Sequence, residues 1–118
     1  GISMIGVCES FTLAKKIGLD LKKLYEVSSN SSGSCWALNT YCPAPDIGPE
    51  TPADKNYSPG FSSELMLKDL MLAQDAAIQS NSHTPLGNHA MKIYEELLNE
   101  GGKGKDFSYV FPFFYNKK

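Results

Sequence analysis

With 118 residues, 42 % of them hydrophobic and 20 % charged, the chain has the size of one domain and is too apolar to stay disordered. The net charge is −2 and all 11 basic residues are Lys, so the Arg forks that read guanine and grip phosphate are missing and nucleic acid is disfavoured as a partner. No Lys run exceeds two and no stretch reaches the ~18 uninterrupted apolar residues of a bilayer span, which argues against a membrane surface and a membrane interior alike.

Residues 2–17 repeat apolar side chains at helical spacing: Ile2, Ile5, Cys8, Phe11, Leu13 and Ile17. Gly18 is a suitable stop, and Asp20 a suitable N-cap for a second helix over 21–29. The first helix has no capping residue at its start and begins Gly1-Ile2-Ser3-Met4, so it is expected to continue from chain upstream. A polar hinge, Ser28-Ser-Asn-Ser-Ser-Gly-Ser34, precedes a short helical run over 35–41. Five prolines in residues 42–60 exclude a regular helix or a central strand and predict a long ordered loop. Residues 61–80 carry neither Gly nor Pro and predict the longest helix. Another fits 85–100, with Pro85 in its first turn and Gly101 as its stop. Asp106 caps a short aromatic helix from Phe107 to about Phe111, ahead of Pro112. Nothing alternates with period two, so the fold is predicted to be all-α, one domain over residues 1–118.

Three cysteines, Cys8, Cys35 and Cys42, show no CxxC spacing and suit free thiols in a reducing compartment. His83 and His89 lack any partner at metal-ligand spacing and are expected at the surface or in helix packing, with no metal site. No GxGxxG follows a predicted strand, Gly101–Lys105 lacks phosphate-loop spacing, and no nucleophile triad stands out. Asp46, Glu50 and Asp54 look like solvated loop charges.

Two groups of residues remain. Between 65 and 78, ten of fourteen positions are apolar and cover every face of a helix, the pattern of a helix buried on all sides. Lys68 and Asp69 sit in its middle. A buried charge costs several kcal/mol without a partner, so the pair either finds partners inside the fold or faces a ligand cleft. An ordinary alternative is a Glu64–Lys68 pair one turn apart on a half-exposed acidic edge, worth roughly 0.3–0.5 kcal/mol. Lys68 shares its stripe with Phe61, Leu65 and Leu72. The second group is Trp36 and Tyr41, beside the hinge and the proline loop. They could plug the core, or, each having one polar handle, wall a pocket for a small polar substrate.

Lys68-Asp69-Leu70-Met71-Leu72-Ala73-Gln74-Asp75-Ala76-Ala77 resembles the KDLxLAxDxA signature of the β-hydroxyacid dehydrogenases. Ser32–Trp36 and Thr40-Tyr41-Cys42-Pro43 resemble the 3-hydroxyisobutyrate dehydrogenase branch rather than the glyoxylate or tartronate-semialdehyde reductases. Ile2–Gly6 with Glu9-Ser10 is similar to the middle of that family's interdomain helix, and Asp106–Phe111 to its C-terminal end. The resemblance implies the helical C-terminal domain of the 6-phosphogluconate dehydrogenase-like type. It also implies a separate N-terminal Rossmann domain binding NAD, a catalytic Lys upstream of Gly1, a hydroxy-acid substrate, homo-oligomers and, in eukaryotes, the mitochondrial matrix. By matching positions it places Lys68, Asp69 and Phe61 toward the cofactor and Trp36 and Tyr41 around the substrate. Alternatives left open are a non-catalytic helical dimerisation module and a relative acting on glyoxylate or succinic semialdehyde.

Overall fold

Helix α1, Ile2–Lys16, is the element on which the rest is assembled in the computed structural model, which describes residues 1–118. Its buried residues are Met4, Ile5, Cys8, Phe11 and Ala14, one stripe at three- and four-residue spacing. It ends as the sequence predicts. Gly18 adopts φ 82°, its N–H donates to the Lys15 carbonyl and the Leu19 N–H donates to that of Ala14 at 2.9 Å. These two bonds close a Schellman turn, and the left-handed residue within it is a glycine because a Cβ is disfavoured there. Lys15 and Lys16 lie where a cation suits the helix dipole.

Helix α2, Leu21–Ser29, begins at Asp20, whose carboxylate accepts from the N–H groups of Lys22 and Lys23. A single turn, α3 (Trp36–Asn39), follows the serine hinge. It is tied back to α2 by the Tyr25 hydroxyl on the Asn39 carbonyl, 2.9 Å, and by the Asn39 amide on the Ser29 carbonyl, 3.0 Å. The proline loop is ordered by its own polar groups. Asp54 accepts from the Thr51 and Asp46 N–H groups and closes a capping box on the 3-10 turn Pro52–Lys55. Asp54 is thus a structural acceptor and not the free charge expected from composition. The buried Tyr57 hydroxyl donates to the Pro43 carbonyl at 2.7 Å.

Helix α4 covers Ser63–Gln79 and α5 covers Pro85–Leu97, packed side by side. Two departures from the expected helices follow. Helix α5 passes into a widened π-type turn, Leu98–Gly102, whose Gly101 takes φ 102°, so the regular helix stops short of 100. The aromatic end continues past Pro112: a 3-10 turn, Phe107–Tyr109, feeds α6, Val110–Asn116. Pro112 falls in the first turn of α6, where an absent N–H costs little, so it does not end the helix.

The rings of α6 close the core over α1. Sixteen buried residues form one cluster drawn from all helices but α2, with Tyr94, Leu97, Cys8 and Val110 fully shielded. The Tyr94 hydroxyl donates to the Phe107 carbonyl at 2.9 Å, so its burial leaves no open polar atom. There is no strand; the nearest approach is one antiparallel bridge, Ser62 to Asp106. No helix is long and apolar enough to cross a membrane.

All three thiols are free; Cys8 and Cys42 are buried and Cys35 is partly open. Burial, with the neighbouring Cys42, pushes the Cys8 thiol up, and burial raises that of Cys42 to about 11. Because the folded values lie above the unfolded one, neutral thiols support the fold fully below pH about 9, and that support falls as pH rises toward about 11. The native protein is expected to yield one thiol per chain, Cys35, to a thiol reagent at pH 8 and all three once unfolded. Alkaline melting curves and mass spectrometry of the labelled chain check both statements.

Candidate functional site

Four aromatic rings make a row at one end of the bundle. Trp36, at the start of α3, stacks on Tyr41 with ring centroids 5.0 Å apart and planes 23° apart. Tyr41 tilts onto Phe107 at 5.2 Å, and Phe107 meets Phe61 edge-on at 5.9 Å. Such pairs add about 0.5–1.5 kcal/mol each beyond burial. The gradient of exposure along the row is informative: Phe107 is buried, Tyr41 and Phe61 are half-buried, and Trp36 is 59 % exposed. A large indole is thus left open on a buried aromatic base. Beside it lies a cavity of about 260 Å³ whose wall includes Ser3, Met4, Trp36, Met66 and Phe107.

The row rests on Asp106. Its carboxylate is fully buried and accepts five hydrogen bonds. Oδ2 accepts from the Tyr41 hydroxyl at 2.8 Å and from the Gly60 and Phe61 N–H groups at 3.0 Å each. Oδ1 accepts from the Ser108 N–H at 3.0 Å and the Ser108 hydroxyl at 2.6 Å. Five donors offset the cost of burying this charge. Burial first, and then the Asp106 bond and charge, push the Tyr41 phenol above its ordinary value and keep it a protonated donor. The polar handle of Tyr41, expected to meet a substrate, is therefore already engaged; what Tyr41 offers the cleft is its ring.

Lys68 and Asp69 are placed differently from the row. They lie on α4 with side chains 60 % and 52 % exposed, and their only ion pair is with each other, Nζ to Oδ1 at 3.4 Å. Of the two expectations, partners within the fold are not found. The ordinary Glu64–Lys68 pair is also absent, because Glu64 accepts instead from the Gly104 N–H at 2.8 Å. Nor is α4 buried on all sides. Ser63, Leu70 and Ala77 are buried, a spacing of seven that marks one contact seam, Met66 and Leu67 pack partly against the core, and Leu65, Leu72 and Ile78 are open. The two charges thus stand on an uncovered apolar face. His83 and His89 are exposed, and no group of three His, Cys, Asp or Glu could hold a metal ion.

The structure brings together three of the five residues singled out in the sequence: Trp36, Tyr41 and Phe61. Sequence reasoning missed Phe107, which joins them, and the anchoring role of Asp106. The cap on Ser108 was visible locally; the bonds to Tyr41, Gly60 and Phe61 span 45 or more residues and leave no periodic trace.

The structure is thus an all-helical domain with an aromatic row at one end and an exposed charged pair on an uncovered helix face. The model of the family described as "NAD-binding of NADP-dependent 3-hydroxyisobutyrate dehydrogenase" matches residues 1–114. The mitochondrial 3-hydroxyisobutyrate dehydrogenase of Drosophila melanogaster is 45 % identical over 117 residues, 99 % of this chain and 36 % of that protein. That of Homo sapiens is 45 % identical over 112 residues, 95 % of this chain and 33 % of that protein. Among solved structures, the Mycobacterium tuberculosis 3-hydroxyisobutyrate dehydrogenase with L-serine superposes with a TM-score of 0.90 at 40 % identity, covering 96 % of this chain and 38 % of that one. The Salmonella typhimurium protein of the same name, at 24 % identity and a TM-score of 0.81, shares the fold. The chain belongs to the 3-hydroxyisobutyrate dehydrogenase family, and its all-α fold is that of the family's helical C-terminal domain. It spans about a third of the length of the curated relatives it matches.

Proposed function

We propose that residues 1–118 form the single helical domain of an NAD-dependent dehydrogenase that oxidises 3-hydroxyisobutyrate to methylmalonate semialdehyde in valine breakdown. The observation that carries this is the 45 % identity to an enzyme of that name over 99 % of the chain, beside an exposed Trp36 on the aromatic row and an exposed Lys68–Asp69 pair on α4. The rest of the enzyme supplies a Rossmann domain, and the proton-moving Lys implied by the resemblance lies upstream of Gly1, at the start of the interdomain helix that α1 continues.

The residues present fit a dinucleotide. Lys68 has an ammonium group that no acid other than its neighbour Asp69 meets, and Asp69 an open acceptor. When bound, NAD supplies the acceptor for hydride leaving the hydroxymethyl carbon. In this chain Lys68 and Asp69 orient the cofactor, Phe61 lines its side of the cleft, and Trp36 and Tyr41 enclose the hydroxy acid and exclude water. The enzyme associates into homo-oligomers, as the resemblance implies. Relatives from animals and plants are named mitochondrial, which supports the matrix as its compartment in a eukaryote.

The full-length protein with 3-hydroxyisobutyrate and NAD is expected to form NADH, followed by absorbance, whereas residues 1–118 alone are expected to give no turnover. Turnover by the isolated domain would overturn the two-domain cleft. A full-length protein with faster reduction of glyoxylate or succinic semialdehyde would reassign the substrate, and one with no turnover at all would favour a non-catalytic helical module.

A further inference from the structure

We propose that Asp106 is the positioning residue of the cleft, holding the substrate wall and the cofactor wall in register through its Oδ2 oxygen. This rests on the assignment of Trp36 and Tyr41 to the substrate and Phe61 to the cofactor. The two oxygens of Asp106 do separate things. Oδ1 faces Ser108 alone and fixes the 3-10 turn that starts the aromatic end of the chain. Oδ2 faces Tyr41, Gly60 and Phe61, which approach from the end of α3 and from the start of α4. The residue next to it, Phe107, lies between the rings of Tyr41 and Phe61, and its N–H donates to the Phe61 carbonyl at 2.8 Å. One buried carboxylate thereby sets the places of three rings.

The fit around Oδ2 has no slack. A Cβ on Gly60 would lie 2.8 Å from the Tyr41 hydroxyl and 3.4 Å from the Pro52 ring. Glycine is required there because the backbone and the phenol reach the same oxygen from adjacent directions. A neutral amide cannot replace the carboxylate. Turned one way, its NH₂ group opposes three donors; turned the other, it opposes the Ser108 N–H. Either placement moves Tyr41 and Phe61 or frees the Ser108 turn, and small displacements of groups that orient substrate carry large rate effects.

Asp106→Asn in the full-length dehydrogenase is expected to raise KM for the hydroxy acid about tenfold or more, measured well below the melting temperature. Tyr41→Phe, which keeps the ring and removes one donor, is expected to raise KM less. Asp106→Asn with Tyr41→Phe should be no worse than Asp106→Asn alone, because both act through the same bond. Ser108→Ala should lower the melting temperature and leave KM in place. If Asp106→Asn lowers only the melting temperature, or if the two KM effects multiply, the proposal is wrong. Should Asp106→Asn fail to fold, Gly60→Ala displaces the Tyr41 hydroxyl with the carboxylate intact, and an unchanged KM there overturns the proposal equally. Trp36→Ala tests the underlying site: Trp36 makes no bond to Asp106, so an unchanged KM in that variant refutes the pocket itself. A raised KM there beside a normal one in Asp106→Asn refutes only the positioning.

Discussion

Lys68→Ala in the full-length dehydrogenase is expected to lower kcat/KM roughly 10–100-fold while leaving the melting temperature within a degree or two. A hydrogen bond to a charged group is worth about 1.5–3 kcal/mol, and each 1.4 kcal/mol is a factor of ten. The stability side follows from exposure. Lys68 is 60 % open, its one ion pair is at 3.4 Å with the adjacent residue, and exposed pairs of that kind contribute at most about 1 kcal/mol. Steady-state kinetics with NAD as the varied substrate, beside a thermal melt, separates the two effects. If turnover and KM for NAD both match the parent enzyme, Lys68 is helix surface and the cleft lies elsewhere.

Gly102→Ala acts on the opposite axis. Its Cβ would fall 2.0 Å from Leu97 Cδ2 and 2.8 Å from the Leu97 carbonyl oxygen. Leu97 is fully buried in the core cluster, so its side chain has nowhere to retreat, and the carbonyl belongs to the backbone of α5. Forcing atoms into a filled core costs about 1–3 kcal/mol or more, and a domain of this size loses about 4–8 °C per kcal/mol. A fall of about 10 °C or more in the domain's melting transition is expected, with KM for NAD near that of the parent. A melting temperature unchanged by the substitution would mean that the widened turn Leu98–Gly102 can open to accept a methyl group.

What the sequence made legible was local or periodic. Asp20 and Asp106 were readable as caps because a cap's partners lie two or three residues away. The spans of α1 and α2 followed from apolar spacing and from Gly18. Pro112 misled because a proline has one meaning inside a helix and another in its first turn; the Asp106 cap marked where the aromatic end starts, and nothing local marked that α6 runs on past Pro112. The apolar composition of α4 showed that Leu65, Leu72 and Ile78 want cover, but composition does not say which molecule provides it; this chain does not. Likewise the hydroxyl of Tyr41 announced a hydrogen bond without a direction. Its acceptor is 65 residues further on, a distance over which no pattern in the sequence points.

The long reach of that bond ties the order of synthesis to the order of assembly. A ribosome has made Trp36, Tyr41 and Phe61 well before it reaches Asp106, so the rings exist before the carboxylate that ties Tyr41 to the start of α4. A premature stop just after Lys105 would leave those three side chains intact and remove both the carboxylate and the Phe107 ring that join them, along with part of the core. Residues 106–107 act as a keystone, joining rings that precede them by 45 or more positions.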